Sequence, residues 1–198
     1  MKNFLFKDRD GQTPLPEDLQ KGLIPKHIQT IGELNEYEED NIFDGLVWLS
    51  KYSGNHLDHV FWIKLHKRLF DQVWKWAGEI RAHELNNPDF NAPHQIRPNL
   101  KELEQDIQFW IQNESYPERE IAARFHEKIE TIHPFANGNG RFGRIITEYI
   151  CERETFEIPK WGDCLKNEPE ARRKTYIQGL TSARRDHDYK SLIEVIFS

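Results

Sequence analysis

Residues 117–159 carry two stretches of helical apolar spacing, separated by a break short enough to be a single tight turn. Ile121, Ala122, Phe125, Ile129 and Ile132 recur at three- and four-residue intervals, the spacing of one buried helix face. Pro134 ends that pattern, because proline has no N–H to donate and its ring clashes with the preceding turn. Asn137 to Gly140 form a turn whose two glycines tolerate close backbone approach. Helical spacing then resumes at Ile145, Ile146, Tyr149 and Ile150. This joint confines the segment to a helix, a turn and a second helix that starts at the turn. Its side chains carry chemistry. Loop amides, a helix N-terminus and the guanidinium groups of Arg141 and Arg144, three residues apart, make an anion cradle. His133, whose imidazole changes charge near neutral pH, sits beside it as a candidate general base.

The surrounding chain reads as helix. Thr30 and Glu33 have the spacing of a capping box, opening a helix that runs to about Lys51. Asp58 caps a second helical stretch within residues 53–75, with Phe61, Leu65, Leu69 and Phe70 on its apolar side. His66 lies on that side and reads as structural. A third helix is expected from Pro98 to Asn113, a fourth from Pro117-Glu118, and two more over residues 169–183 and 188–197. Residues 1–28, with three prolines and two glycines, read as an irregular leader whose Thr13-Pro14 and Leu23-Ile24-Pro25 lie along the surface. Residues 79–98 are mixed and turn-rich, equally compatible with a short hairpin bounded by prolines and with a plain connecting loop. Trp161-Gly162 reads either as core or as an adenine-stacking position.

Charge and cysteine usage remove several classes. A net charge of −6 over 198 residues gives no support to nucleic-acid binding or a polybasic membrane anchor. Cys151 and Cys164 match no metal spacing and imply no disulfide framework. No apolar run approaches the ~20 residues that span a bilayer, and the N-terminus turns charged too early for a signal peptide. A cytoplasmic location is the expectation.

The segment His133-Pro134-Phe135-Ala136-Asn137-Gly138-Asn139-Gly140-Arg141-Phe142-Gly143-Arg144 resembles the signature of the Fic (Fic/Doc) family, His-Pro-Phe-x-(Asp or Glu)-Gly-Asn-Gly-Arg-x-x-Arg. Asn137 stands where most active members carry an acid. Gly22-Leu23-Ile24-Pro25-Lys26-His27-Ile28, Glu33-Leu34-Asn35-Glu36 and Trp74-Lys75-Trp76-Ala77-Gly78 are similar to the stand-alone branch called mobile mystery protein B.

The resemblance implies an all-α, Fic-type helical bundle. A small β-hairpin flap at about residues 81–97 would hold a target protein as an added strand. It divides the chain into a leader and possible regulatory helix, residues 1–52, and a catalytic core, residues 53–198. The implied activity is transfer of AMP from ATP to a Ser, Thr or Tyr hydroxyl of a target protein, with release of pyrophosphate.

In that scheme His133 is the base. Gly138, Asn139 and Gly140 hold the α- and β-phosphates, Arg141 the β-phosphate region and Arg144 the γ-phosphate. Asn137 is a neutral ligand for Mg²⁺ or Mn²⁺, which prefer carboxylate oxygens. Asp40, with Glu39, occupies the place of an inhibitory acid that pairs with the second motif arginine. A small regulatory or antitoxin partner is also implied, with oligomeric state left open. The alternatives are another transfer within the fold, kinase-like or of UMP or phosphocholine, and a non-catalytic toxin–antitoxin or regulatory module. Gly140 stands where the kinase-like pattern has lysine.

Overall fold

A computed structural model describes residues 21–198; residues 1–20, including the expected Thr13-Pro14 surface segment, lie outside the described residues. From Ile31 onward the described residues form seven α-helices in order: α1 Ile31–Ser50, α2 His59–Phe70, α3 Pro93–Gln112, α4 Glu118–Ile132, α5 Asn139–Arg153, α6 Pro169–Asp186 and α7 Lys190–Phe197. Two isolated β-bridges join Leu23 with Trp74 and Ile80 with Phe135. The chain divides into two compact units. One runs through Arg81 and includes Phe135–Phe142; the other holds Ala82–Pro134 and Gly143–Ser198.

The first unit is built on α1 and α2. Thr30 accepts from the Glu33 amide while the Glu33 carboxylate accepts from the Thr30 amide, so the capping box forms as the sequence implies. Leu34, Ile42 and Leu49 of α1 are buried, as are Phe61, Leu65, Leu69 and Phe70 of α2. The helices approach closely at Gly45, where a Cβ would lie 2.8 Å from a Leu69 methyl. Asn41 fastens α1 to the end of α2, donating to the Arg68 carbonyl and accepting from the Gln72 amide. That tertiary cap ends α2 at Phe70, short of the expected 75. Leu23 is buried rather than superficial, and the Ile24 amide donates to the Val73 carbonyl.

In the second unit α3 starts at Pro93, not Pro98. Proline suits the first helical position, and the Gln95 side chain accepts from the Ala92 amide to cap the turn. The earlier start extends one buried stripe, Ile96, Leu100, Leu103 and Ile107, at i, i+4, i+7 and i+11. The apolar faces of α3 and α4 pack together, and α6 packs on α7 around Leu180, Ala183, Leu192 and Ile196.

The expected flap hairpin is corrected: residues 93–97 belong to α3, and residues 82–92 form a loop without strand pairing. The cause is local. Pro88 and Pro93 lack donors, the Asn87 side chain accepts from the Asp89 amide, and the Phe90 amide turns back to the Asn87 carbonyl. These bonds close turns where a ladder would need them.

Candidate active site

In the first unit the motif loop is locked by its own side chains. Asn139, 4% exposed, accepts from the Phe135 amide at 2.9 Å and donates to the Phe135 carbonyl at 2.8 Å. Both of its polar atoms are committed to holding the loop closed. Gly138 has φ +77°, and a Cβ there would meet the Phe70 ring at 2.8 Å, so the turn needs glycine for conformation and for space. The exposed Asn137 turns its own Oδ1 onto the Gly138 amide at 2.7 Å. Asn139 and Gly140 open α5, where the first-turn amides point out of the helix end.

His66 buttresses this loop from below. Its Nδ1 accepts from the Gly78 amide at 3.0 Å, so the proton of the neutral ring sits on Nε2 and is donated to the Asn137 carbonyl at 3.1 Å. The ring stacks on Phe135 at 3.6 Å. Burial pushes its pKa down to about 3; the Arg141 charge adds to that and the Asn137 hydrogen bond opposes it. A histidine so placed carries no charge near neutral pH. Its role is structural, as its place on an apolar helix face indicates.

Arg141 lies over the Phe70 ring, 4.9 Å from its centre, and pairs end-on with Glu38: Nη1 to Oε2 at 2.6 Å and Nη2 to Oε1 at 3.2 Å. Glu38 is 5% exposed and its Oε1 also accepts from Trp74 Nε1 at 2.6 Å. The acid that meets Arg141 is therefore Glu38, whereas Glu39 and Asp40 are exposed. A 100° step per residue separates them: position 38 shares the buried face of α1 with Leu34, Asn41, Ile42 and Gly45.

In the second unit His133 ends α4 in the left-handed conformation, φ 45° and ψ 61°, with its amide bonded to the Ile129 carbonyl. Its Nδ1 lies 3.2 Å from the Glu130 carbonyl oxygen, an acceptor, so Nδ1 carries the proton and the ring lone pair is on Nε2. Phe90 stacks on the imidazole at 3.7 Å and 14°, and the Asn91 amide ties that loop to the Thr131 carbonyl.

Arg144, one helical turn beyond Arg141, belongs to a buried polar group in this unit. His126 reaches Thr147 Oγ1 at 3.2 Å and Tyr176 Oη at 2.7 Å, and burial first, then the Arg144 charge, pushes its pKa down to about 3. Burial raises the pKa of Glu130, against the pull of Arg144 and Arg184. Tyr176, raised by burial, also bonds Arg144. Trp161 is 7% exposed and donates to Glu148, which decides between its two sequence readings in favour of core.

One continuous segment thus presents, in chain order, a base-competent imidazole, a glycine turn at a helix N-terminus and two arginines on the helix that follows. Residues 56–151 match the Fic/DOC family.

Among curated proteins, it is 25% identical over 138 residues to the probable protein adenylyltransferase y4lH of Sinorhizobium fredii, covering 67% of this chain and 71% of that one. It is 30% identical over 90 residues to protein adenylyltransferase VbhT of Bartonella schoenbuchensis, covering 43% of this chain and 18% of that one. Protein adenylyltransferase fic-1 of Caenorhabditis elegans is 32% identical over 102 residues, covering 48% and 19%. The chain therefore spans about a fifth of the length of two of these relatives. Among solved structures, BepC with bound AMPPNP from Bartonella tribocorum superposes with a TM-score of 0.65 at 17% identity, covering 98% of this chain and 94% of that one. A Bartonella quintana Fic domain with bound ADP gives 0.64 at 19%, covering 86% of each. These structures share the all-α fold. Among the described residues, no helix is long and apolar enough to cross a membrane.

Proposed function

We propose that the protein is an adenylyltransferase that moves AMP from ATP to a Ser, Thr or Tyr hydroxyl of a target protein. The observation that carries the reading is the contact of His133 Nδ1 with the Glu130 carbonyl, which in the neutral ring puts the lone pair on Nε2, five residues ahead of Gly138 in the sequence. An alcohol is a poor nucleophile until its proton is taken during attack, and neutral imidazole suits that task. The hydroxyl oxygen bonds to the α-phosphorus while Nε2 accepts its proton. The bond from the α-phosphorus to the bridging oxygen breaks, and pyrophosphate leaves with the electron pair. Charge gathering on that group is met by Arg141, Arg144 and the amides at the start of α5.

Mg²⁺ enters this reading as the counter-ion of the nucleotide. The motif side chain that could touch it is Asn137, a carboxamide whose oxygen already accepts from the Gly138 amide. One neutral, occupied oxygen is a poor fit for a resident Mg²⁺, so the reaction above routes no step through the metal. Relatives described as adenylyltransferases, and neighbours holding AMPPNP and ADP, support the nucleotide class. Placement with the mobile mystery protein B branch, carried by Gly22 to Ile28 and Trp74 to Gly78, belongs to the same proposal, as do a target protein and a small regulatory partner.

The test is incubation of wild type and His133→Ala with host lysate and ATP labelled at either the α- or the γ-phosphate. Label from the α-position on protein, reduced at least ~100-fold by the substitution, is the expected outcome for a lost general base. Label from the γ-position would make the protein a kinase. No label from either would make it a binding module.

A further inference from the structure

We propose that Glu38 is a positioning residue for Arg141, a fixed counter-ion that sets which edge of the guanidinium meets phosphate. The inference rests on the adenylyl-transfer reading for the role of Arg141, but its geometry stands apart from that reading. A guanidinium has five N–H donors in a rigid plane. End-on pairing with Glu38 uses one donor on Nη1 and one on Nη2. The remaining donors include the Nε side edge, which matches two oxygens of a phosphate in the same forked way.

Arg141 also lies over the ring of Phe70, which borders Gly138 of the turn. The end-on pair with Glu38 and the ring contact thus hold the fork in place before ligand arrives. The ordering of a long side chain is then complete in the free protein and does not weigh against binding.

Glu38 has the features of a permanent part rather than a movable plug. A plug must be able to leave. Glu38 is 5% exposed, and withdrawing it would strip the acceptor from Trp74 Nε1, whose side chain is 1% exposed. Its helix is capped at Thr30, cross-linked to the end of α2 through Asn41 and Asp44, and pressed against α2 at Gly45. No hinge lies between these anchors and position 38. The carboxylate stays while phosphate binds the other edge.

The experiment is a double-mutant cycle between Glu38→Gln and Arg141→Ala, read by pyrophosphate titration calorimetry and by α-label transfer at saturating ATP. Glutamine keeps the shape and an acceptor for Trp74 but removes the charge that orients Arg141. Expected are a pyrophosphate Kd at least roughly fivefold weaker and transfer at least about tenfold slower in Glu38→Gln, with changes under about twofold once Arg141 is alanine.

Faster transfer or tighter pyrophosphate binding in Glu38→Gln would make Glu38 a blocking group and overturn the proposal. Unchanged values in a folded variant would leave it a purely structural acid, and an equal loss with and without Arg141 would show action by another route; either also overturns it. Should Glu38→Gln fail to fold, Glu38→Asp retains the charge, shortens the reach, and is read by the same outcomes. Coupling in the pyrophosphate cycle without any α-label on protein would sink the adenylyl-transfer reading and leave the Glu38 assignment standing.

Discussion

Acid should weaken this protein in a window set by its buried histidines, and His66 allows the effect to be isolated. The free imidazole takes a proton near pH ~6.5. In the folded chain His66 and His126 are each held down to about 3, burial being the first cause for both. Between those values the unfolded chain binds a proton that the folded chain refuses, so stability falls as pH drops below ~6.5 and the loss levels off near the folded value. With a slope limit of ~1.4 kcal/mol per pH unit for each group, going from about pH 6.5 to about pH 5 removes 1–2 kcal/mol per imidazole, or on the order of 3 kcal/mol for the pair. Glu130 and Glu148 act in the opposite sense, since burial raises their pKa and the folded state takes up their protons first. Comparing wild type with His66→Gln cancels those carboxylates and His126. Glutamine keeps a donor and an acceptor toward Asn137 and Gly78 but does not titrate. Urea unfolding followed at both pH values should show the variant losing roughly 1–2 kcal/mol less on acidification than wild type. Parallel pH profiles for the two proteins would refute the assignment of His66 as a buried neutral group.

Two further outcomes test the loop itself. Asn139→Ala leaves the buried Phe135 amide and carbonyl without their partner, and should cost about 2–4 kcal/mol in urea unfolding; a loss within about 0.5 kcal/mol would mean the loop is not locked by that side chain. Asn137→Asp supplies the charged oxygen that Mg²⁺ prefers, and should raise α-label transfer at sub-millimolar Mg²⁺ by roughly tenfold relative to wild type; equal transfer would show that the metal is held without position 137.

How far the sequence reached depended on whether an element is settled by neighbours in the chain or by distant ones. The start of α1 follows from Thr30 and Glu33, and that of α2 from Asp58, because caps are local hydrogen bonds. The end of α2 is not local: Asn41, thirty-one residues upstream of Gln72, takes the amide that would have continued it. The start of α3 was misread because Pro98 looks like a helix opener, whereas the buried Ile96 draws the preceding turn into the helix. For residues 79–98 the local pattern leaves hairpin and loop equal, and the family resemblance tips the expectation to the hairpin. The turn bonds around Asn87 give the loop that the structure contains.

The site divides in the same way. The order of imidazole, turn and arginines is written in twelve consecutive residues, so it was legible, and so was the structural part of His66. What holds those groups was not. Phe90 against His133 is a contact across forty-three residues, and Glu38 with Arg141 one across more than a hundred. Glu38 nonetheless leaves a trace in the sequence. Among Glu36, Glu38, Glu39 and Asp40, position 38 is the one in phase with Leu34, Asn41, Ile42 and Gly45, on the face the helix buries. A carboxylate is kept on a buried face only with a partner, since losing its hydration is costly. The phase of the acid, rather than its match to an inhibitory motif, was the informative feature. It asks which cation lies opposite, and the fold answers with Arg141, the first arginine after the glycine turn.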